Sequence, residues 1–436
     1  MTWILQDAER SERWDLEAVE FGLRSRILEM GGEVLERMMN DNSRGETRSS
    51  IPCDCGQSAR LEGFRAKEIQ TLFGRIEVVR AYYYCSSCGK GQCPHDGNWD
   101  VQGTRFSPAL RRLMSRAGAN ESFEQGRNDL REYAAIAVET KAVERIAEGV
   151  GTDIRRAVEI QRERILSGSV ISLFSSPSVE TVYIAMDGTG IPVVPQETIG
   201  RPGKGAEGKA HTREAKLGCV FTQTTVDEKG KPVRDEDSTT YVGKIETAEE
   251  LGQDLYAEVV RRGLLGAKRQ IVLGDGAIWI WELAEEHFPE AIQIIDLYHA
   301  REHVWKVGYA VYGEKSKAME IWVQKRIREL DQGDIGSIRN AFKRVKISSE
   351  GGHQTVQTEL EFFRKNRDRM QYAQFKSQGF FVGSGVIEAG CKTVIGQRLK
   401  QSGMQWTVDG ANSIVTLRCC LLSGEWEDYW ASRTAG

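Results

Sequence analysis

No run of 18 or more apolar residues occurs anywhere in the 436-residue chain. Nothing in it therefore reads as a membrane span, and no membrane partner is expected. The opening, Met1-Thr2-Trp3-Ile4-Leu5-Gln6-Asp7, lacks both a basic start and an apolar stretch of signal-peptide length, so a cytoplasmic protein is the expectation. Excess positive charge is missing too. The formal net charge is −4 and the pI is near 6.0, which excludes a uniformly basic nucleic-acid coat but leaves local basic patches open. Internal repeats and low-complexity tracts are absent. At 40% hydrophobic residues the chain can bury a large core, and its length suggests two to four domains.

Cysteine is present but not as a disulfide framework. The count is nine, an odd number, and four of the nine form tight pairs, Cys53/Cys55 and Cys85/Cys88. In a reducing compartment such pairs suggest metal. A glycine follows each second cysteine, Gly56 and Gly89, as a tight metal knuckle needs. Between the pairs we read a hairpin, with Ile69 to Leu72 as one strand, Gly74 as the turn and Arg75 to Tyr84 as the other. Two cysteine pairs on a hairpin describe a zinc ribbon. Four thiolates saturate tetrahedral Zn²⁺, so this site is expected to be structural. Cys93 and His95 are spare ligands or ordinary loop residues.

Residues 1 to about 50 are charged, with helical periodicity at Leu16, Val19, Leu23 and Ile27. Residues 104 to about 168 read as helices. Ser107-Pro108 opens one, Ser122-Phe123-Glu124-Gln125 opens the next, and a third runs from about Thr140 to Gly149. Basic side chains on the last of these are compatible with a helix-turn-helix, although packed amphipathic helices give the same pattern.

From about residue 180 the period changes to that of strands: Val182–Met186, Leu217–Val226, Thr239–Ile245, Gln270–Gly274 and Ala291–Ile295. Thr247-Ala248-Glu249-Glu250 is a capping box opening a helix to about Arg262. The order β-β-β-α-β-α-β predicts an α/β fold of ribonuclease-H-like type, a mixed sheet whose later strands are wound parallel by helical crossovers. The Gly/Lys-rich loop 200–209 lacks the Gly-Lys-Ser/Thr ending of a P-loop. Residues 297 to about 375, anchored by Trp305, Trp322, Phe362 and Phe363, read as a helical insertion.

Two of these strands end on aspartate, Asp187 and Asp275, and a later helix opens with Glu388. In α/β sheets ligands bind outside the carboxyl ends of the strands. Three carboxylates from separate elements could hold two hard ions, Mg²⁺ or Mn²⁺, for phosphodiester chemistry. The competing reading is that Asp187-Gly188 and Asp275-Gly276 are turn dipeptides. Asp296, His299 and His303 form D-x2-H-x3-H, where His299 could serve a metal-bound carboxylate or a phosphate, or lie on an exposed helix face. Trp279 and Trp281 fit the core better than a base-stacking role.

The segments VYIAMDGTG, HTREAKLGCVFTQTTVDEKGKPVRDEDSTTYVGKIET, VLGDGAIWIWELAEEHFP, IDLYHAREHVW and GSGVIEAGCKTVIGQRLKQSGMQWT resemble insertion-sequence transposases of the ISKra type, DDE enzymes in the neighbourhood of Mutator-like elements. The resemblance extends from about residue 50 to 423 and includes CDCG…RAYYYCSSCGKG and GTRFSPALRRLMSRAG. It implies that Asp187, Asp275 and Glu388 are the catalytic acids and that Asp296 and His299 are the D-x2-H element. It further implies metal-dependent cleavage at transposon ends, in which water exposes a 3′-hydroxyl that then attacks target DNA.

The partner so implied is double-stranded DNA on the prokaryotic nucleoid, with a homodimer or higher assembly for synapsis. Phosphate contacts would come from Arg75, Arg80, Arg111, Arg112, Lys141, Arg145, Lys204, Arg398 and Lys400, with Trp406 beside them. The domain reading is a helical segment 1–50, zinc ribbon 51–100, helical DNA-binding domain 101–170, catalytic core 178–300, helical insertion 301–378, and the rest of the core with a C-terminal helix at 379–436. Two other readings stand beside it: a non-catalytic, domesticated DNA-binding protein, and a metal-dependent nuclease that never joins strands.

Overall fold

The computed structural model describes residues 15–45, 48–169, 179–203, 208–314, 316–347 and 350–434. The chain divides into two compact units, Met1–Gly149 and Val150–Gly436. No helix among the described residues is long and apolar enough to cross a membrane.

In the first unit, helix α1 (Leu16–Gly45) precedes a four-stranded antiparallel sheet of β1 (Ser50–Pro52), β2 (Ser58–Thr71), β3 (Gly74–Tyr84) and β4 (Gly91–Gln92). The hairpin β2–β3 is longer than its sequence suggests. The expected first strand begins at Ile69, whereas the ladder runs back to Arg60 opposite Tyr84 through a bulge at Leu61/Gly63. Residues 58–68 are too charged to announce a strand, but the alternating β3 offers them a full row of backbone partners. Ile69, Ile76, Val78 and Val101 form the core here, with Leu35 and Met39 of α1 packed on it.

A short helix α2 (Pro94–Asn98) leads to α3 (Pro108–Asn120) and α4 (Phe123–Ala134). Both expected caps form: Ser107 Oγ accepts from the Leu110 N–H at 3.3 Å and Ser122 Oγ from the Gln125 N–H at 3.2 Å. Helix α5 spans Thr140–Leu166 and does not stop at Gly149. A glycine in a helix interior costs only about 1 kcal/mol. Gly151 further on is there for space, since a Cβ would lie 2.1 Å from the Ser413 carbonyl oxygen.

The second unit is a mixed α/β structure. Its sheet holds β5 (Thr181–Pro192), β6 (Thr212–Gln223), β9 (Thr240–Lys244), β10 (Arg269–Gly274) and β11 (Ile292–Ile295); a small hairpin, β7 (Thr225–Val226) with β8 (Pro232–Val233), lies between β6 and β9. The spatial order is β11-β10-β5-β6-β9. Strands β5, β6 and β9 pair antiparallel, and β10 and β11 extend the sheet parallel to β5. Parallel neighbours need crossovers, supplied by α6 (Ala248–Arg261) and α7 (Ile278–His287). The capping box of Thr247 and Glu250 opens α6 with both reciprocal bonds made. Strand β5 is central and buried from Thr181 to Met186, which accounts for its continuous apolar run.

Helices α8 (Leu297–Tyr312), α9 (Lys317–Asp331), α10 (Ile335–Arg344), α11 (Glu350–Lys365) and α12 (Tyr372–Ser377) follow β11. Trp322, Phe342 and Phe363 pack as an aromatic chain within this helical block. The chain then continues through α13 (Gly385–Gly390), a widened π turn at Cys391–Gly396, α14 (Gln397–Leu399), α15 (Val408–Leu422) and α16 (Trp426–Thr434).

Candidate active site

The register of the central strands decides where the acids go. Leu273 of β10 lies beside Ala185 of β5. Two residues further along each chain, Asp275 and Asp187 come level: Asp275 follows the last residue of β10, whereas Asp187 lies inside β5, which does not end there as expected but runs on to Pro192 against β6. Asp275 closes a local turn, its Oδ1 accepting the Ala277 N–H at 2.9 Å. Gly276 after it has φ +104°, and a Cβ there would lie 2.8 Å from the Phe362 ring of α11. The Asp-Gly pair is thus a tight turn and also the delivery point for a carboxylate; the two readings of the sequence are compatible.

Asp187 is half-buried. Burial raises its pKa above the ordinary carboxylate value, and the charges of Asp275 and Glu388 push it in the same direction. The Gly188 N–H, at 2.7 Å from Oδ1, and the Cys391 thiol oppose that rise. Cys391 lies three residues beyond Glu388, so this one contact joins the middle of β5 to the turn that directly follows the glutamate's helix. Glu388 is exposed, and the Ser384 hydroxyl donates to its Oε1 at 2.7 Å. The three carboxylates share one neighbourhood, yet their oxygens do not all lie within 4.8 Å of one another.

Asp296 has a different place from the acids. It is 1% exposed. Oδ1 accepts the His299 N–H at 2.6 Å and caps α8. Oδ2 accepts the Ser384 N–H, and the Asp296 N–H donates to the Gly274 carbonyl at 2.8 Å. Both carboxylate oxygens are therefore engaged by backbone, and the residue ties the end of β10, the start of α8 and the loop before Glu388. The D-x2-H element is a cap and a tie here. His299 Nδ1 lies 3.6 Å from Glu302 Oε2 and its ring sits edge-on to His303 at 4.9 Å. Among the described residues no hydrogen bond or ion pair joins it to the three acids. His303 is held by Glu359 at 2.5 Å and stacks on Phe362 at 3.8 Å.

Two lysines lie along β5 on opposite faces of the sheet: Lys400 reaches Thr189 on the face that carries Asp187, and Lys216 projects with Gly188 on the other. Lys216 is paired in register with Gly188; its ammonium lies 2.8 Å from Glu214 and 5.7 Å from the Trp279 ring centroid. Lys400 is exposed and its ammonium donates to the Thr189 hydroxyl. Trp281 is core, 5% exposed beneath the Arg369 guanidinium, while Trp279 is half-buried.

Several expected phosphate contacts are interior ties and must be reassigned. Arg80 is buried on Asp96, with Nη1 at 2.6 and 2.7 Å from its two oxygens. Arg111 is buried on Asp100, bonding its carbonyl and its carboxylate at 2.6 Å each. Arg398 is fully buried, 4.9 Å from the Trp406 ring centroid, and the Trp406 indole N–H donates to the Leu399 carbonyl at 3.1 Å. Arg112 is half-buried. Arg75, Lys141 and Arg145 are exposed, the first 3.7 Å from Glu68 and the second 2.6 Å from Glu144. Lys204 lies outside the described residues.

The cysteine cluster belongs to the first unit. Cys53 and Cys55 follow β1, and Cys85 and Cys88 follow β3; the four sulfurs all lie within 4.8 Å of one another. Sγ atoms approach at 3.6 Å between Cys53 and Cys88 and between Cys55 and Cys85. The Cys85 thiol is pulled down to about 6, first by the backbone N–H of Cys88. Soft sulfur donors at this spacing suit Zn²⁺. Cys93 is set apart from the four, and His95 is buried against Trp99.

No family model matches the chain, and no curated protein matches it in sequence. Among solved structures it has a weak likeness to the Drosophila P element transposase strand transfer complex, covering 77% of this chain and 83% of that one at 10% identity with a TM-score of 0.26. A crystal structure of NurA bound to dAMP and manganese aligns over 68% of this chain and 64% of that one, at 13% identity and a TM-score of 0.10. At such scores neither likeness bears on mechanism.

Proposed function

We propose that the chain is a DDE-type DNA transposase with a ribonuclease-H-like catalytic core and a structural zinc ribbon. It cleaves DNA strands at transposon ends and transfers them to target DNA. The observation that supports this reading is the gathering of Asp187, Asp275 and Glu388 just past the point where the parallel pairing of β5 and β10 ends, with Asp187 raised by its own burial and by the other two acids. The strand order β11-β10-β5-β6-β9 supports the core assignment.

The donor set is all oxygen, which fits Mg²⁺ or Mn²⁺. The reading calls for a pair of ions roughly 3.5–4 Å apart. Such ions, when bound, supply positive charge to the attacked phosphate and the leaving oxygen. The chain's own residues do the rest. Asp187, Asp275 and Glu388 would be the ligands. Ser384 holds one oxygen of Glu388, and Asp296 holds Ser384. Lys400, exposed beside Thr189, would bring positive charge to the rim where a phosphodiester backbone would lie. Water attacks phosphorus and the P–O3′ bond breaks, leaving a 3′-hydroxyl. That hydroxyl then attacks a target phosphodiester, and the displaced target oxygen takes up the proton.

The test uses duplexes carrying the DNA that flanks the gene, where imperfect inverted repeats are expected. With Mg²⁺ the full chain should cut these ends and join pre-cut ends to a plasmid. Asp187→Asn, Asp275→Asn and Glu388→Gln should each bind ends and cut nothing. Undiminished cutting by Asp187→Asn ends the proposal. Cutting without joining leaves a metal-dependent nuclease instead.

A further inference from the structure

Helix α1 carries two apolar faces, and the fold of its own unit uses one. Leu35 and Met39 turn onto the hairpin core beside Ile69, Ile76 and Val78. Leu16, Leu23, Ile27, Met30, Val34 and Met38 remain between 46% and 69% exposed. At about 100° per residue these six fall within an arc of about 80°. Along the axis they extend over about 33 Å at 1.5 Å per residue. Scattered exposed apolar residues need no explanation, but a continuous stripe of six does.

We infer that this stripe is an interface for a second copy of the same chain, formed by antiparallel pairing of the two α1 helices. Leu23, Ile27, Met30 and Val34 follow one another at steps of four, three and four, the spacing of an a/d seam. Place a two-fold axis between Ile27 and Met30. Ile27 then meets Met30 of the second copy, Leu23 meets Val34, and Val19 meets Met38. These three layers pair apolar with apolar, while the outermost stripe residue, Leu16, meets Asp41. The same register sets Glu20 opposite Arg37 and brings Arg26 near Glu33. Parallel pairing would instead put Glu20 against Glu20 and Arg37 against Arg37, which opposes it. The pattern is thus self-complementary under a two-fold, as an isologous interface requires. This pairing holds whether or not the acids of the second unit cleave DNA.

The measurement is the mass of the full zinc-loaded chain by light scattering across a concentration series. We expect twice the 48.9 kDa of one chain at micromolar concentration. Ile27→Glu with Met30→Glu should give the single-chain mass with unchanged circular dichroism and zinc content, because both side chains face out. Glu20→Arg should shift dissociation to higher concentration by roughly tenfold, about 1.4 kcal/mol. Adding Arg37→Glu should restore it, a rescue only the antiparallel register gives. A wild-type chain of single mass at every concentration overturns the inference, as does a dimer indifferent to Ile27→Glu/Met30→Glu. A monomer that dimerises once residues 1–14 are deleted also overturns it, by making the leading segment the occupant.

Discussion

The two clusters of metal-type ligands in this molecule are built on opposite plans. The cysteines come from two knuckles of one sheet, are soft donors, and have already closed to within 4.8 Å of one another. The acids come from two strands and a helix, are hard donors, and remain spread. One of them, Glu388, is exposed, and another, Asp187, is half-buried with its pKa raised. A closed, saturated set holds a fold together. An open, mutually repelling set stores unfavourable charge that a bound cation would relieve.

That contrast can be broken from either side. Removing zinc, or making Cys53→Ser or Cys88→Ser, should have the largest effect, since structural Zn²⁺ contributes about 10 kcal/mol or more to small domains near pH 7. Zinc quantification with limited proteolysis of residues 51–95 checks it; a metal-free chain that resists proteolysis as well as the wild type removes the ribbon. On the other side, Asp187→Asn should lower cleavage by at least about 1,000-fold, about 4 kcal/mol, with end binding unchanged in a mobility-shift assay.

Ser384→Ala should be milder. One hydrogen bond to a carboxylate is lost, so kcat should fall by about tenfold with KM unchanged, and Ser384→Thr should recover most of it. A loss confined to KM would place Ser384 in substrate binding instead of in holding Glu388.

The smallest effect has the opposite sign. Asp187 has a folded pKa above its unfolded one, so its ionisation favours the unfolded chain, and stability is lost as pH rises through the folded value. In metal-free buffer Asp187→Asn should therefore raise Tm at neutral pH, and the gain should vanish where the carboxyl is protonated in both states. A lower Tm at pH 7 would show that the acids are not strained by one another.

Much of this was legible in the residues because it is local. Ser107, Ser122 and the Thr247/Glu250 box cap helices through contacts three residues away, and the continuous apolar run of β5 states its own burial. Other features were out of reach because a residue type does not say which way it points. Arg398 and Trp406 have the composition of a DNA contact, yet both are buried inside the unit, the guanidinium over the indole ring and the indole N–H on the Leu399 carbonyl. Arg80 and Arg111 are likewise claimed by Asp96 and Asp100. Ser384 is an unremarkable serine until the chain brings Asp296 and Glu388 to either side of it.

The order of strands, the helix starts and the chemical types of both ligand clusters were set by the sequence alone, since periodicity, capping and donor softness act over a few residues. Which acids stand together, which arginines are spent on internal pairs, and that α1 keeps a second apolar face in solvent were decided by tertiary structure. Those outcomes depend on strand register and on competition between distant side chains for burial, and neither quantity exists until the chain has folded.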